Sequence, residues 1–150
     1  VHVSARIVVL TLDDDQGPEV WINPEITPLT EHTSALYEGC LSVTGLRGRV
    51  ERPNLIHVRC LDHHGQARAY ILQGFPAIVA QHECDHLDGV LYVDRADPVS
   101  LAFVDEFRKH GPLHAAAEDD EEDEEDVDDA AILVDPTLSP EAAMAVATRA

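Results

Sequence analysis

The chain has 150 residues, 45% of them apolar, and a formal net charge of −19. That is enough for one domain with a buried core and a tail, while the acidic excess excludes the basic footprint that contacts to phosphate require. No apolar run reaches the length of a membrane span, and three irregularly spaced cysteines (Cys40, Cys60, Cys84) exclude a disulfide framework and fit a reducing compartment.

The charge is unevenly spread. Residues 1–110 hold 16 acidic and 9 basic side chains, and residues 111–150 hold 13 acidic and one basic, so the local nets are −7 and −12. The expected organisation is a mildly acidic globular domain over 1–110 and an acidic, disordered tail over 111–150. No charged-then-apolar leader is visible, and the chain opens on Val1, almost directly into a strand-like run. It is expected to be N-terminally incomplete.

Arg6 to Leu12 is rich in β-branched residues and predicts a strand. Asp13 to Pro18 is a turn by composition. Glu19 to Ile22 predicts a second strand, stopped by Asn23-Pro24, after which Pro24 and Pro28 imply an extended, edge-like segment. Glu31 to Ser34 is a polar loop. Leu41-Ser42-Val43 is a short extended piece beside Cys40, which on its own reads as a small buried hydrophobe. Arg47 to Pro53 is a solvated strand edge. Asn54 to Leu61 alternates apolar and polar side chains, as a half-buried strand does. Asp62 to Gly65 is a hairpin turn, with His63 and His64 as turn residues, and Gln66 to Leu72 is the return strand. A helix is expected over 75–88, then a short apolar piece, Val90 to Val93, packed on the sheet. A last amphipathic helix runs from Pro98 to His110. Within 118–129, 11 of 12 residues are acidic, and such a block repels itself and buries nothing. Pro140 to Ala147 is a good helix former by propensity.

The most informative stretch is Gln81-His82-Glu83-Cys84-Asp85-His86-Leu87-Asp88-Gly89. It contains His-Glu-x-x-His. On a helix, residues four apart share a face, so His82 and His86 can point two imidazoles at one metal ion. Glu83 lies about 100° further round, within reach of a water at that ion. Phe75, Ile78, Val79, His82 and His86 share a face at helical spacing. Pro76 suits a first turn, and Gly89 a position just past the helix end. A pattern with three fixed positions also arises by chance, and nine histidines raise that chance. A catalytic site of this kind further needs a third protein ligand and an open position.

Glu38-Gly39-Cys40-Leu41-Ser42, followed by the His-Glu-x-x-His stretch with 42 positions from Cys40 to His82, resembles the second and third signature motifs of peptide deformylases. The resemblance extends from Val1 to about His110, through Ile22-Asn23-Pro24 and Asp94-Arg95. It implies an α+β fold, with antiparallel and mixed sheets around a central metal-binding helix, a helix near 98–110, and then the acidic tail. It implies Cys40, His82 and His86 as ligands to one Fe(II), with zinc, nickel or cobalt as substitutes. Glu83 would be the general base, and the backbone N–H of Leu41 would help hold an oxyanion. Leu36, Phe75, Ile78 and Val79 would line the pocket for a methionine side chain, and all four also suit a plain core. Glu38 and Gly39 would lie along the substrate, with Arg47 and Arg52 as supporting contacts. The implied substrate is an N-formylmethionyl peptide met at the ribosome, in a bacterial-type cytoplasm or an organelle, with no membrane partner.

The family's first motif, Gly-x-Gly-x-Ala-Ala-x-Gln, would fall immediately before Val1 and is not among these 150 residues. Its glutamine is the second oxyanion donor, so the resemblance leaves a second reading, an N-terminally truncated and catalytically impaired remnant that binds metal or a partner. A metalloprotease is a third. Metalloproteases of this motif usually take their third ligand from His or Glu downstream, whereas Cys40 lies upstream.

Overall fold

The structure, a computed structural model, describes residues 5–12, 17–111 and 129–148. The acidic block up to residue 128 lies outside the described residues, and so does the expectation of disorder there. The elements in order are β1 (Ile7–Leu10), β2 (Glu19–Pro28), β3 (Thr33–Cys40), β4 (Val43–Pro53), β5 (Leu55–Leu61), β6 (Ala67–Gln73), α1 (Phe75–Leu87), α2 (Tyr92–Arg95), a 3₁₀ turn (Pro98–Ser100), β7 (Ala102–Phe103), α3 (Val104–His110), β8 (Ala130–Val134) and α4 (Pro140–Ala147). This is an α+β fold. The described residues fall into two compact units, one within 1–34, 52–89 and 128–150, the other within 35–51 and 90–127.

The first unit is built on an antiparallel sheet in the order β1-β2-β5-β6-β8. One face carries Val8, Leu10, Trp21, Ile56, Val58, Cys60, Tyr70 and Leu72, packed with Ala77, Ala80 and Cys84 of α1. Trp21 and Tyr70 anchor it, their rings 5.3 Å apart, and the Trp21 indole N–H donates to Glu19 at 3.0 Å. The other face carries Ala69, Ile71 and Val134 with Leu55 and Ile132, covered by Ala143 and Leu138 from the C-terminal segment.

Three expectations change in this unit. Asn23-Pro24 does not stop the second strand. β2 continues to Pro28 through an irregularity between Ile22 and Glu25, where Asn23 takes φ 52 and its N–H donates to the Arg6 carbonyl at 2.9 Å. Asparagine tolerates the left-handed region, and a bulge accommodates a proline without a ladder hydrogen bond. β5 is half-buried only in its second half, where Arg59 and Leu61 are exposed and Cys60 is buried, whereas Ile56, His57 and Val58 are each at most 1% exposed and that part of the strand is covered on both faces. The third change is the cause. Residues 130–134, expected as part of a disordered tail, form β8, which pairs with β6 from Gln73↔Ala130 to Ala69↔Val134, while Pro140 to Ala147, a good helix former by sequence, folds as α4, capped by the Ser139 hydroxyl. The charge run dominates the composition of 111–150 and masks the apolar Ala131 to Val134.

The second unit holds a three-stranded sheet in the order β3-β4-β7. Val50, Tyr92 and Ala96 form its core, with Cys40, Val43 and Val93 packed against them. Here Leu41-Ser42 is the turn between β3 and β4 rather than a strand. Of the short apolar piece Val90 to Val93, Tyr92 and Val93 open α2 and pack with Val50. The helix expected from Pro98 breaks into the 3₁₀ turn, β7 and α3, because Leu46↔Phe103 and Arg47↔Ala102 pair the middle of the segment with β4. The Asp97 carboxylate accepts the Val99 N–H at 3.0 Å, and the Arg49 N–H donates to the Ser100 hydroxyl at 2.7 Å.

Candidate functional site

In α1 the small residues Ala77, Ala80 and Cys84 recur at helical spacing and let the helix lie close against the sheet. That fixes the opposite side, where His82 and His86 stand one turn apart with ring centroids 4.9 Å apart and nearly perpendicular planes. Both are half-buried, as is Glu83 between them. The helix closes as the sequence predicts. Gly89 takes φ 74, its N–H donates to the His86 carbonyl at 3.2 Å, and the Asp88 N–H donates to the Asp85 carbonyl at 2.9 Å.

Three further contacts hold α1 in place. The Arg52 guanidinium meets the Asp85 carboxylate at 2.8 Å with both side chains largely buried. The Gln81 amide N–H₂ donates to the Pro53 carbonyl at 2.8 Å and the Ala77 carbonyl at 2.9 Å. Arg6 donates to the Leu87 carbonyl at 3.2 Å and pairs with Asp88 at 2.5 Å, and that bond holds the Asp88 carboxyl below its ordinary range. Gln81 and Asp85 lie inside the motif, yet the sequence reading gave them no role. The available signal was polar side chains interleaved with the histidines on a helix whose other side is apolar.

The cysteines separate by environment. Burial pushes the Cys60 thiol up to about 12 and the Cys84 thiol up to about 11, so neither offers a thiolate near neutral pH. Cys40, in the second unit, ends β3 half-buried, and the Ser42 N–H donates to its sulfur at 3.4 Å across the β3–β4 turn. Leu41, in that turn, is 94% exposed.

The expected pocket residues divide between the units. On β3, Leu36 is exposed, Glu38 is buried, and Gly39 lies beside Arg47, which donates to the Tyr37 carbonyl at 3.3 Å and stacks over Phe107. On α1, Ile78 is buried, Val79 packs against the core and Phe75 is more than half exposed. His63 and His64 stack on each other in the exposed hairpin turn, as expected of turn residues.

On α1, His82 and His86 offer two imidazole ligands one turn apart, and Cys40, in the second unit, offers a sulfur. A thiolate and two neutral imidazoles are an appropriate donor set for a first-row divalent metal that keeps an open position.

The polypeptide deformylase family model matches residues 1–101. The chain belongs to this family. It is 41% identical over 117 residues to the peptide deformylase of Azotobacter vinelandii, covering 74% of this chain and 70% of that one. The crystal structure of peptide deformylase from Thermotoga maritima matches at a TM-score of 0.58 with 39% identity, covering 62% of each chain. A Met-Ala-Ser-bound class I type b peptide deformylase from Acinetobacter baumannii matches at 0.50 with 44% identity, over 52% of this chain and 49% of that one. The chain spans about half to seven tenths of the length of the curated relatives it matches. The family is metal-dependent, and no helix among the described residues is long and apolar enough to cross a membrane.

Proposed function

We propose that the chain hydrolyses the formamide of N-formylmethionyl peptides and releases formate. The observation that carries this is His-Glu-x-x-His on α1, with His82 and His86 one turn apart and Glu83 half-buried beside them, in a chain of this family. The Acinetobacter relative, bound to Met-Ala-Ser, supports a peptide beginning with methionine as the ligand class.

Cys40, His82 and His86 would hold the ion, and Fe(II) is the proposed metal, with nickel, cobalt or zinc as substitutes. A divalent cation bound there supplies Lewis acidity that lets water ionise near neutral pH. Glu83 accepts the proton of the attacking water and later delivers it to the leaving amine. The Leu41 N–H, in a turn rather than a ladder, donates to the oxygen that gains charge as the formyl carbon becomes tetrahedral. Leu36, Phe75, Ile78 and Val79 take the methionine side chain, and Glu38 and Gly39 flank the peptide. The setting proposed is the bacterial-type cytoplasm or an organelle, on chains leaving the ribosome.

The test is formate release from formyl-Met-Ala-Ser by protein purified without oxygen and loaded with Fe(II) or Ni(II). Turnover is expected in the parent. Glu83→Ala should lose about 10²–10⁴-fold while binding one metal per chain. A metal-loaded parent that releases no formate sinks the proposal.

A further inference from the structure

The residues beyond the family match carry an interaction with the motif helix that the catalytic reading does not use. α1 has a poor start of its own. Its N-cap is Gly74, no side chain of the cap bonds back into the first turn, and that turn holds no acidic residue. The first amides of a helix need acceptors, and its positive end favours a carboxylate. Both come from the C-terminal segment. The Asp129 carboxylate accepts the Phe75 N–H at 2.8 Å.

Two features show that this seat is shaped for Asp129. The β6–β8 register ends at Gln73↔Ala130, which sets the next residue outward on each side, Gly74 and Asp129, next to each other. A Cβ on Gly74 would collide with the Asp129 carboxylate, and Gly74 holds φ 69, where side chains are rarely accepted. The missing side chain at the cap is the space that the carboxylate fills.

We infer that Asp129 is a positioning residue for substrate binding. It acts through the first turn of α1 and so delivers, from outside the family's matched residues, a cap that the motif helix lacks. This rests on the deformylase reading, in which Phe75, Ile78 and Val79 receive the methionine side chain. Those residues occupy the first turn and its edge. His82, Glu83 and His86 lie one to three turns further on, where α1 is held independently by Asp85, Gln81 and Arg6. Removing the cap therefore loosens the pocket end and leaves the chemistry end in place. That is loss of uniform binding, which raises KM and spares kcat.

The experiment compares the full chain with Asp129→Ala and Asp129→Asn, metal-loaded, on formyl-Met-Ala-Ser. Hydrogen exchange is followed in parallel over residues 74–80. Asp129 is exposed, so neither change opens the core. The alanine variant is expected to raise KM about three- to tenfold, the range an N-cap contributes, with kcat and metal content unchanged and faster exchange at the start of α1. The asparagine variant, whose amide oxygen can accept the same bond, should restore both readouts. Unchanged KM in Asp129→Ala, with or without faster exchange, overturns the inference, and so does a fall in kcat alone. A parent that releases no formate refutes the deformylase reading instead. Exchange over 74–80 then still decides whether Asp129 orders the helix start, and parental exchange in Asp129→Ala overturns that.

Discussion

His57 sits on β5 between Thr27 of β2 and Ile71 of β6, 1% exposed, and neither ring nitrogen has a hydrogen-bond partner among the described protein groups. Burial first, and the charge of Arg59 second, lower its pKa. The native state therefore keeps the ring neutral, while the unfolded chain takes up a proton below about pH 6.5. Where the unfolded state binds more protons, stability rises with pH. The His57 contribution is thus fully present above about pH 6.5 and is lost progressively as pH falls below it. In His57→Leu, the urea midpoint should vary less between pH 5 and pH 7 than in the parent, and the variant should be the more stable chain at pH 5. Equal slopes in the two proteins would remove His57 as the acid-sensitive group. The cysteines give a second outcome at this scale. With Cys60 and Cys84 thiols pushed up to about 12 and 11, mild iodoacetamide at pH 8 should add one label to the folded, metal-free chain, at Cys40. Two or three labels under native conditions would contradict the burial of the other two.

The Arg52–Asp85 pair ties the last turns of α1 to the end of β4, with side chains 4% and 13% exposed. Removing one partner of a buried pair leaves the other charge without compensation, at a cost of about 3–5 kcal/mol. Arg52→Ala should therefore lower stability by about 3 kcal/mol and weaken metal retention, since Asp85 immediately precedes His86. A urea titration and metal content after dialysis check both. A change below about 1 kcal/mol would show that the pair behaves as an exposed one. The helix that these contacts hold was legible because its signals are local: histidines four apart, Pro76 at the start, Gly89 past the end. The hairpin at Asp62 to Gly65 was legible for the same reason. Its N–H and carbonyl groups close over four residues, and the Asp62 carboxylate accepts the His64 and Gln66 N–H groups. The misses share another cause. β2 runs through Asn23-Pro24 because the neighbouring strands absorb a bulge, and β7 exists because β4 lies beside it. Those outcomes depend on partners distant in sequence, which local composition does not record. Arg52 was readable as a supporting residue only through the family resemblance, and Asp129 was hidden inside a run that looks uniformly acidic.

At the scale of the whole chain, the C-terminal segment is part of the first unit's core. β8 closes the β6 edge of the sheet, and Leu138 and Ala143 help cover the face formed by Ala69, Ile71 and Leu55. Cutting the chain after residue 110 would bare that face and leave Ala67–Gln73 as an apolar edge strand with unpaired backbone groups, a template for association. The truncated chain should show a lower urea midpoint and self-associate at concentrations where the parent is monodisperse in light scattering. A peptide of residues 129–148 added in trans should reverse both in a concentration-dependent way, since strand pairing and the apolar contacts do not need the covalent link. Charge is separable from this effect. Replacing the acids of 118–126 by serine removes nine negative charges, counted from the sequence, and leaves the residues of β8 and α4 themselves unchanged. That variant should keep the parental urea midpoint. If instead the serine variant were destabilised and the truncated chain were not, the acidic block rather than the β8–α4 packing would be what residues 111–150 contribute to the fold.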